Sequence, residues 1–310
     1  MRALITGATG FVGGRVARRL HQRGHEVTAF VRTPSGELET LGIHQVTGDL
    51  ADVDPRLLTD IDVVVHAAAA VGPDLASARE VNRDGTARLL QAALTSKTPR
   101  FVHISTTSVY DRQRLGDELV SEDAPLATPA SAPGPVSSAG NAYAASKAEG
   151  DAEVARATQE GLSTAVLRPP AVLGAGPTST WGTRVPRRIL IGDPPPIHPD
   201  NTFAWVHVED LVDAVIAAAD LRTPVVANVV GGHTTFAAYT DAVMAGIPGG
   251  SDVPQGADAA STEDPAPPWR GRYDQHRATA SLGVPLERGF EDAMREISAS
   301  WQHGDPGGTR

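Results

Sequence analysis

Tyr143 and Lys147 are the residues of this chain whose types and spacing could do chemistry. Four residues apart on a helix, the two side chains lie on one face. A free phenol titrates at about pH 10, and a neighbouring ammonium favours the phenolate and lowers the phenol pKa. Such a tyrosine could exchange a proton with a carbinol or carbonyl oxygen. The same spacing is also found in ordinary surface helices, so its meaning depends on the rest of the chain.

A glycine-rich turn follows the first apolar run, residues 3–5. Gly7, Gly10 and Gly13 have the spacing G-x-x-G-x-x-G and precede a helical pattern. Glycines allow a tight turn and a close approach of the backbone to a pyrophosphate, and a helix N-terminus offers free N–H groups. A strand before this turn and a helix after it together predict a dinucleotide site.

Short apolar strands alternate with amphipathic helices along most of the chain. This alternation predicts an α/β fold with a doubly wound parallel sheet, which binds its ligands at the carboxyl ends of the strands. The predicted strands after the first one are 25–31, 45–47, 63–67, 101–105, 164–167 and 227–230. The clearest predicted helices are 15–23, 81–95, 142–160 and 208–219.

The pattern also predicts two parts of unequal size. We expect a dinucleotide-binding Rossmann domain at residues 1–173, completed by 203–230. A smaller C-terminal substrate lobe is expected at 174–202 and 231–310, where prolines and glycines interrupt the alternation.

Two segments are predicted to be loops because of their composition. Residues 124–138 are rich in Pro, Ala and Ser and precede the helix of Tyr143, which suggests a wall of the active-site pocket. Residues 249–268 are rich in Gly, Pro and Asp, and we expect a mobile lid there.

Composition narrows the possible partners. The formal net charge of −10 argues against nucleic acid, which requires a basic surface. The apolar runs are too short for a membrane span, and Met1 leads almost directly into the first strand, so we expect a cytoplasmic protein. The chain has no cysteine, and its one H-x-x-x-H pair, His21 and His25, straddles a glycine; we therefore expect no metal site.

Further motifs, together with the glycine turn and the Tyr-Lys pair, resemble those of the extended short-chain dehydrogenase/reductase family, the NAD-dependent epimerase/dehydratase group. The resemblance covers nearly the whole chain and implies a dinucleotide-dependent enzyme. It also implies a homodimer formed through the helices 81–95 and 142–160. The matching motifs are 48–50 (GDL), 65–69 (VHAAA), 81–86 (VNRDGT), 103–110 (HISTTSVY), 167–170 (LRPP) and 206–210 (VHVED).

The resemblance assigns catalytic roles. Thr106 would supply the hydroxyl that polarises the substrate oxygen, with Ser105 as the fallback. Tyr143 would be the general acid or base, and Lys147 would tune it and bind the nicotinamide ribose.

The resemblance also assigns the cofactor contacts. Three further residues have either a direct role at the cofactor or a purely structural role. The structural role would be a turn for Pro169, a polar residue of the core for His66 and a helix cap for Asn82. The expected contacts are Gly7, Gly10, Phe11, Val12 and Gly13 at the pyrophosphate, Asp49 and Leu50 at the adenine, and Ala67, Ala68, Lys147 and Pro169 at the ribose and nicotinamide side.

The end of the second strand indicates which cofactor is preferred. NAD-selective relatives carry an acid there for the ribose 2′-hydroxyl, whereas this chain has Val31 followed by Arg32. An arginine suits a 2′-phosphate, and Thr33 and Ser35 could add hydroxyl donors. We therefore expect NADP(H), with NAD as the alternative.

The predicted reaction is hydride transfer between a nicotinamide and a ketone, aldehyde or alcohol. The alternatives are an NDP-sugar epimerase with tightly held NAD and a non-catalytic dinucleotide sensor. Several positions differ from those of sugar-nucleotide relatives, and these differences favour the predicted hydride transfer over the epimerase. They are Phe203 in place of a diphosphate-binding arginine, Asp111 in place of glycine, Leu173 in place of tyrosine, and Thr107 and Ser108 in place of the acidic pair of dehydratases.

Overall fold

Seven parallel strands form the central sheet of the protein, for which a computed structural model describes residues 1–72, 74–112, 114–128, 139–246 and 267–302. The strands in these residues are β1 (Arg2–Thr6), β2 (Glu26–Val31), β3 (His44–Thr47), β4 (Val63–His66), β5 (Arg100–Ile104), β6 (Leu119–Val120), β7 (Ser163–Arg168), β8 (Ala171–Leu173), β9 (Thr202–His207), β10 (Val225–Asn228), β11 (Gly232–Thr235) and β12 (Arg272–Tyr273).

The central sheet has the order β10-β7-β5-β4-β1-β2-β3. The chain therefore builds outward from β1 to β3 and then continues from β4 in the opposite direction. Parallel pairing of Thr6 with His66 puts the ends of β1 and β4 side by side at this reversal. In doubly wound sheets, ligands bind in the crevice outside the strand ends at such a point. The predicted fold class is confirmed, and each predicted strand lies within two residues of its observed bounds.

Helices cover both faces of this sheet. They are α1 (Phe11–Gln22), α2 (Gly36–Thr40), α3 (Leu75–Arg79), α4 (Thr86–Thr95), α5 (Ala139–Gln159), α6 (Val185–Leu190), α7 (Val208–Asp220), α8 (Phe236–Ala245), α9 (His276–Leu282) and α10 (Phe290–Gln302). None of these helices in the described residues is long and apolar enough to cross a membrane.

The side chains of β1 alternate between the two faces of the sheet, so this strand contributes to the apolar cores on both sides. Ala3 and Ile5 point to the face covered by α1 and α7, and Leu4 points to the face covered by α4 and α5. Successive side chains of a strand alternate between faces, so a run that is apolar at every position must be buried on both sides. This is why the short apolar runs predicted a central parallel sheet.

The helix predicted at 81–95 is interrupted. Residues Glu80–Gly85 form a π-helical turn between α3 and α4. Asn82, in this turn, donates hydrogen bonds to the Ser146 hydroxyl of α5 (2.9 Å) and the Ala70 carbonyl (2.9 Å). Tertiary hydrogen bonding of this kind is not encoded in apolar periodicity, which predicted one continuous helix.

A second sheet has three strands, in which β9 pairs parallel with β8 and antiparallel with β11. The segment 203–230 is expected to complete the dinucleotide domain, and its first strand, β9, contributes Phe203 and Trp205 to an apolar core shared with α8 and α10. We call this aromatic-rich core the core of the proposed smaller lobe. The Phe203 ring stacks on Tyr239 with a centroid distance of 4.5 Å. The chain returns to the central sheet with α7 and β10.

Two predicted loops lie largely outside the described residues. Of the segment 124–138, the structure describes 124–128, and of the segment 249–268 it describes 267–268.

The aromatic core of the lobe generates a stability prediction. Phe203→Ala should lower the free energy of unfolding by about 3–5 kcal/mol, because it removes a buried ring from a close-packed cluster. Urea denaturation followed by tryptophan fluorescence measures the change. Phe203→Leu is the matched control and should lose less, since it keeps most of the apolar volume. An unchanged unfolding midpoint in the alanine variant would show that this core contributes little.

Candidate functional site

The glycine turn after β1 packs directly against the backbone that follows β4, with no side chain between them. Gly7 has φ +70°, and a Cβ there would lie 2.6 Å from the Ala68 backbone nitrogen. A Cβ on Gly13 would overlap the Gly7 carbonyl oxygen. Neither contact is sterically possible, so these two positions need glycine for the turn to close.

The N-terminus of α1 follows this turn and is open to an anion. Gly10 is the N-cap residue, no side chain caps the helix, and its first turn contains no acidic residue. The N–H groups and the positive end of the helix dipole therefore suit a pyrophosphate. The half-buried Phe11 ring lies against Gly176, and the Arg15 guanidinium packs over that ring at 4.3 Å. This part of the chain fits the expected dinucleotide.

Arg32 follows β2 and is exposed. Within the described part of the chain it has no hydrogen bond or ion pair. Its loop is held in place because the Ser35 backbone nitrogen donates to the Gln45 side chain (2.8 Å) and Gln45 donates back to the Ser35 carbonyl (3.0 Å). A cation on a fixed loop, without a carboxylate partner, is available for a phosphate.

The other predicted cofactor residues lie at the same edge of the sheet. Asp49 is exposed after β3, and Leu50 beside it is buried. Ala67 and Ala68 follow β4, and their backbone nitrogens donate to the carbonyl and the hydroxyl of Thr6, each at 3.2 Å. Pro169 follows β7 and is buried; its carbonyl accepts a hydrogen bond from the Thr107 backbone nitrogen at 2.9 Å. The structure therefore brings the predicted residues to the carboxyl ends of parallel strands, as ligand binding requires.

Thr106 lies just beyond β5, and its hydroxyl shares a hydrogen bond with the Tyr143 side chain. The same oxygen accepts from the Ser108 backbone nitrogen at 3.1 Å. Ser105, the fallback, has a buried hydroxyl with no hydrogen-bond partner among the described residues. Thr106 is thus the hydroxyl residue paired with Tyr143.

The pKa of Tyr143 shifts opposite to our expectation. Burial, followed by the carboxylate of Asp151, raises it to about 12, and the hydrogen bond with Thr106 only partly opposes this. Lys147 is not among the groups that shift this pKa, and its ammonium donates to the Ile104 carbonyl at 2.8 Å. Helical spacing placed the two residues on one face but did not show where the lysine nitrogen points. In this structure Tyr143 therefore keeps its proton at neutral pH, and its raised pKa makes it a weaker acid than a free phenol.

Lys147 is buried, with 1% of its surface exposed. Its Nζ lies 3.2 Å from Nε2 of His103. Burial lowers the pKa of Lys147 to about 8, and the negative charge of Asp151 opposes this. A buried lysine whose pKa lies so close to neutral depends strongly on its charged neighbours.

A cluster of buried charged and titratable groups surrounds that lysine, and we call Lys147, His103, Asp151 and Arg168 the charge cluster. Nε2 of His103 lies 3.5 Å from Oδ1 of Asp151, and Arg168 Nε donates to Oδ2 of Asp151 at 3.0 Å. Arg168 also donates to the Tyr110 hydroxyl at 3.0 Å. These contacts tie α5 to β5 and β7 directly behind the Tyr-Lys pair.

His66 and Asn82 support the site from within the core. The His66 ring is fully buried, with its nitrogens 2.7 Å from the Thr6 hydroxyl and 3.0 Å from the Thr86 hydroxyl. Burial and the nearby Lys147 lower the pKa of His66 to about 3, so its imidazole is neutral. Both residues thus have structural partners. In the described ranges no three His, Asp or Glu side chains are grouped as metal ligands.

Asp151 is the functional residue that the motif search missed. It lies four residues after Lys147, which itself lies four after Tyr143, so all three side chains share one face of α5. A second signal was in the composition. Of 27 lysine and arginine residues only Lys97 and Lys147 are lysines. Arginine serves nearly everywhere else as a permanent cation, and lysine is the residue that can change its charge.

The glycine turn generates a binding prediction. Gly13→Ala should weaken NADPH binding by about tenfold or more, because the new Cβ displaces the turn that carries the pyrophosphate contacts. Isothermal titration calorimetry measures the change. The control is Gly36→Ala, whose Cβ would meet no atom within 4 Å and which should bind normally. Equal affinities in the two variants would contradict the assignment.

Comparisons with known proteins agree with this geometry. A model of the NAD dependent epimerase/dehydratase family matches residues 3–229. A 2-alkyl-3-oxoalkanoate reductase of Stenotrophomonas maltophilia is 34% identical over 203 residues, which is 62% of this chain and 59% of that protein. The match thus spans less than two thirds of the length of that relative.

Other relatives catalyse different reactions. A UDP-N-acetyl-alpha-D-glucosaminuronate decarboxylase of Bacillus cytotoxicus is 30% identical over 239 residues, 71% of either chain. Among solved structures, TunA, an NAD dependent NDP-hexosamine 5,6-dehydratase involved in tunicamycin biosynthesis, superposes with a TM-score of 0.78 at 24% identity and covers 98% of this chain and 99% of its own. Likeness at that identity shows the fold alone.

Proposed function

Because the chain belongs to the NAD-dependent epimerase/dehydratase family, we propose that it is an NADP(H)-preferring oxidoreductase that interconverts a ketone or aldehyde with an alcohol. The observation that carries this proposal is the hydrogen-bonded pair of Thr106 and Tyr143, in which Tyr143 holds its proton at neutral pH. A protonated phenol beside a second hydroxyl is what a carbonyl oxygen needs as it gains negative charge.

Each residue has a part in the reductive direction. Thr106 and Tyr143 donate hydrogen bonds to the substrate carbonyl oxygen and orient it. The nicotinamide, when bound, supplies the hydride to the carbonyl carbon. Tyr143 transfers its proton to the oxygen, which completes the alcohol. We propose that the ammonium of Lys147, on the same helix face, then turns from the Ile104 carbonyl to stabilise the phenolate until a proton from solvent restores the phenol.

Contacts in the lobe weaken the sugar-nucleotide alternative. Phe203, at the position where such relatives often carry an arginine, is 6% exposed and packs in the aromatic core of the lobe. Thr107, in place of the first acid of dehydratases, is 2% exposed. These residues supply no cation for a diphosphate and no acid for dehydration. The Stenotrophomonas relative makes a 2-alkyl-3-oxoalkanoate the first carbonyl substrate to test.

The exposed Arg32, which has no ion pair among the described residues, supports NADP(H) over NAD. Val31, not an acid, ends β2 at the position that would accept from a ribose 2′-hydroxyl, and the guanidinium of Arg32 suits the 2′-phosphate.

The proton-donor role predicts the behaviour of Tyr143→Phe. We expect kcat to fall by about 10²–10⁴-fold while NADPH affinity is retained, because only the proton donor is lost. Steady-state NADPH oxidation and nucleotide titration measure the two quantities. Tyr239→Phe, which removes another buried hydroxyl that donates to the Trp181 carbonyl, is the control and should retain turnover. Unchanged turnover in the Tyr143 variant would refute the mechanism.

The cofactor proposal predicts the behaviour of Arg32→Ala. NADPH affinity should fall about tenfold or more, and NADH affinity should change little, because only NADPH carries the 2′-phosphate. Fluorescence titration with both nucleotides gives the ratio. Arg295→Ala, on the exposed face of α10, removes the same charge elsewhere and should leave both affinities unchanged. Equal losses for the two nucleotides in the Arg32 variant would remove the basis for the 2′-phosphate contact.

A further inference from the structure

Two buried cations in the charge cluster share one buried carboxylate. Lys147 is 1% exposed, Arg168 is 5% exposed, and Asp151 between them is 4% exposed. We propose that Asp151 is a positioning residue: its carboxylate is the counter-charge that keeps Lys147, which lies on the helix face of Tyr143, an ammonium. This inference rests on the proposed function, in which that ammonium stabilises the phenolate.

The contacts run in a chain through His103. The Lys147 ammonium can donate to Nε2 of His103 (3.2 Å), and the same nitrogen lies 3.5 Å from Oδ1 of Asp151. Burial, with the charges of Lys147 and Arg168 and the neighbouring His66, holds the pKa of His103 well below its ordinary value, so the imidazole is neutral. Because the His103 ring is neutral, it adds no charge next to Lys147. The negative charge that acts on Lys147 is that of Asp151.

Among the described groups around Lys147, no side chain other than Asp151 supplies a negative charge. The titratable or charged side chains that face it in the described structure are Tyr143 and Asp151 from α5, His103 from β5, His66 from β4 and Arg168 from β7. Asp151 is the one anion of this set. Oδ1 of Asp151 has no hydrogen-bond partner among the described residues. The hydrogen bond from Arg168 to Oδ2 is therefore the main interaction that offsets the burial of the Asp151 charge.

Arginine and lysine respond differently to the loss of that anion. Arg168 cannot be deprotonated in a protein, whereas a buried lysine readily loses its proton. If Asp151 became neutral, two buried cations would remain in the charge cluster without its carboxylate, and Lys147 would be the one to lose its proton. An opposite charge at this range is worth about 1–3 pH units, and the pKa of Lys147 is already only about 8. The lysine of the variant would therefore be largely neutral at neutral pH.

The sequence offers a direct way to read this charge. Lys97 and Lys147 are the only lysines, so protein labelled with ¹³C at the lysine Cε gives two side-chain signals. Lys97 is exposed and serves as an internal reference, and Lys97→Arg assigns its signal. In the unaltered protein we expect Lys147 to titrate near 8.

Two substitutions should move the Lys147 titration in opposite directions. In Asp151→Asn the midpoint should fall by about 1–3 pH units, and the Lys97 midpoint should not move. In Arg168→Gln the midpoint of Lys147 should rise, because the competing cation is gone and the carboxylate remains. General loosening of the fold would admit water and raise the midpoint in both variants, so the fall in Asp151→Asn separates electrostatic control from structural damage.

Several outcomes would overturn the proposal. An unchanged or raised Lys147 midpoint in Asp151→Asn is one, and a lysine that is already neutral at neutral pH in the unaltered protein is another. Should Asp151→Asn fail to fold, Asp151→Ser takes its place: a fall in the Lys147 midpoint supports the role of Asp151, and an unchanged or raised midpoint contradicts it.

The pH dependence of kcat/KM is a second measurement. Together with the NMR titrations, it distinguishes a failure of this inference from a failure of the proposed function. The reaction needs charged Lys147, so kcat/KM is lost as pH rises through its pKa, and Asp151→Asn should move that alkaline limb to lower pH by about 1–3 units. Asp151→Glu, which restores the charge, should bring the limb back towards its original position. If the NMR titrations behave as expected but no carbonyl compound is reduced, the proposed function fails and the electrostatic role of Asp151 stands.

Discussion

The burial of one ammonium group is the constraint on which the site depends. Removing Lys147 from water is costly, and the fold offsets this with the Ile104 carbonyl, the His103 ring and the charge of Asp151. These partners come from β5 and α5, so the ammonium is held only when the helix is seated correctly on the sheet. Packing and catalysis are therefore coupled through one side chain.

Sheet topology performs the complementary task of bringing distant sequence segments to one edge. The reversal between β1 and β4 places the glycine turn beside Ala67, and the next strands deliver Thr106 and Pro169 to the same edge. The largely apolar strands, with helices on both sides, make this edge rigid. In the proposed reaction, the cofactor and the substrate carbonyl would then meet at residues that are far apart in the chain.

Apolar periodicity and glycine spacing were sufficient to predict the central strands and the turn after β1, because both signals are local. They did not predict the π-helical turn at Glu80–Gly85, which is accompanied by a hydrogen bond from Asn82 to Ser146 of α5. The direction of the Tyr143 pKa shift was wrong for a similar reason. Where the Lys147 nitrogen points depends on Ile104, more than forty residues earlier in the chain. The spacing of Asp151 after Lys147 was visible, and its meaning needed Arg168 to be placed beside it.

The most direct test of a reductase as opposed to an epimerase is the nucleotide that the purified protein holds. The protein would be denatured to release and identify any bound nucleotide, and the emptied, refolded protein would be titrated with NADPH and NADH. We predict exchangeable binding with a clear preference for NADPH. Stoichiometric NAD that resists exchange would contradict the proposed function and favour a reaction in which the cofactor is reduced and reoxidised within each turnover.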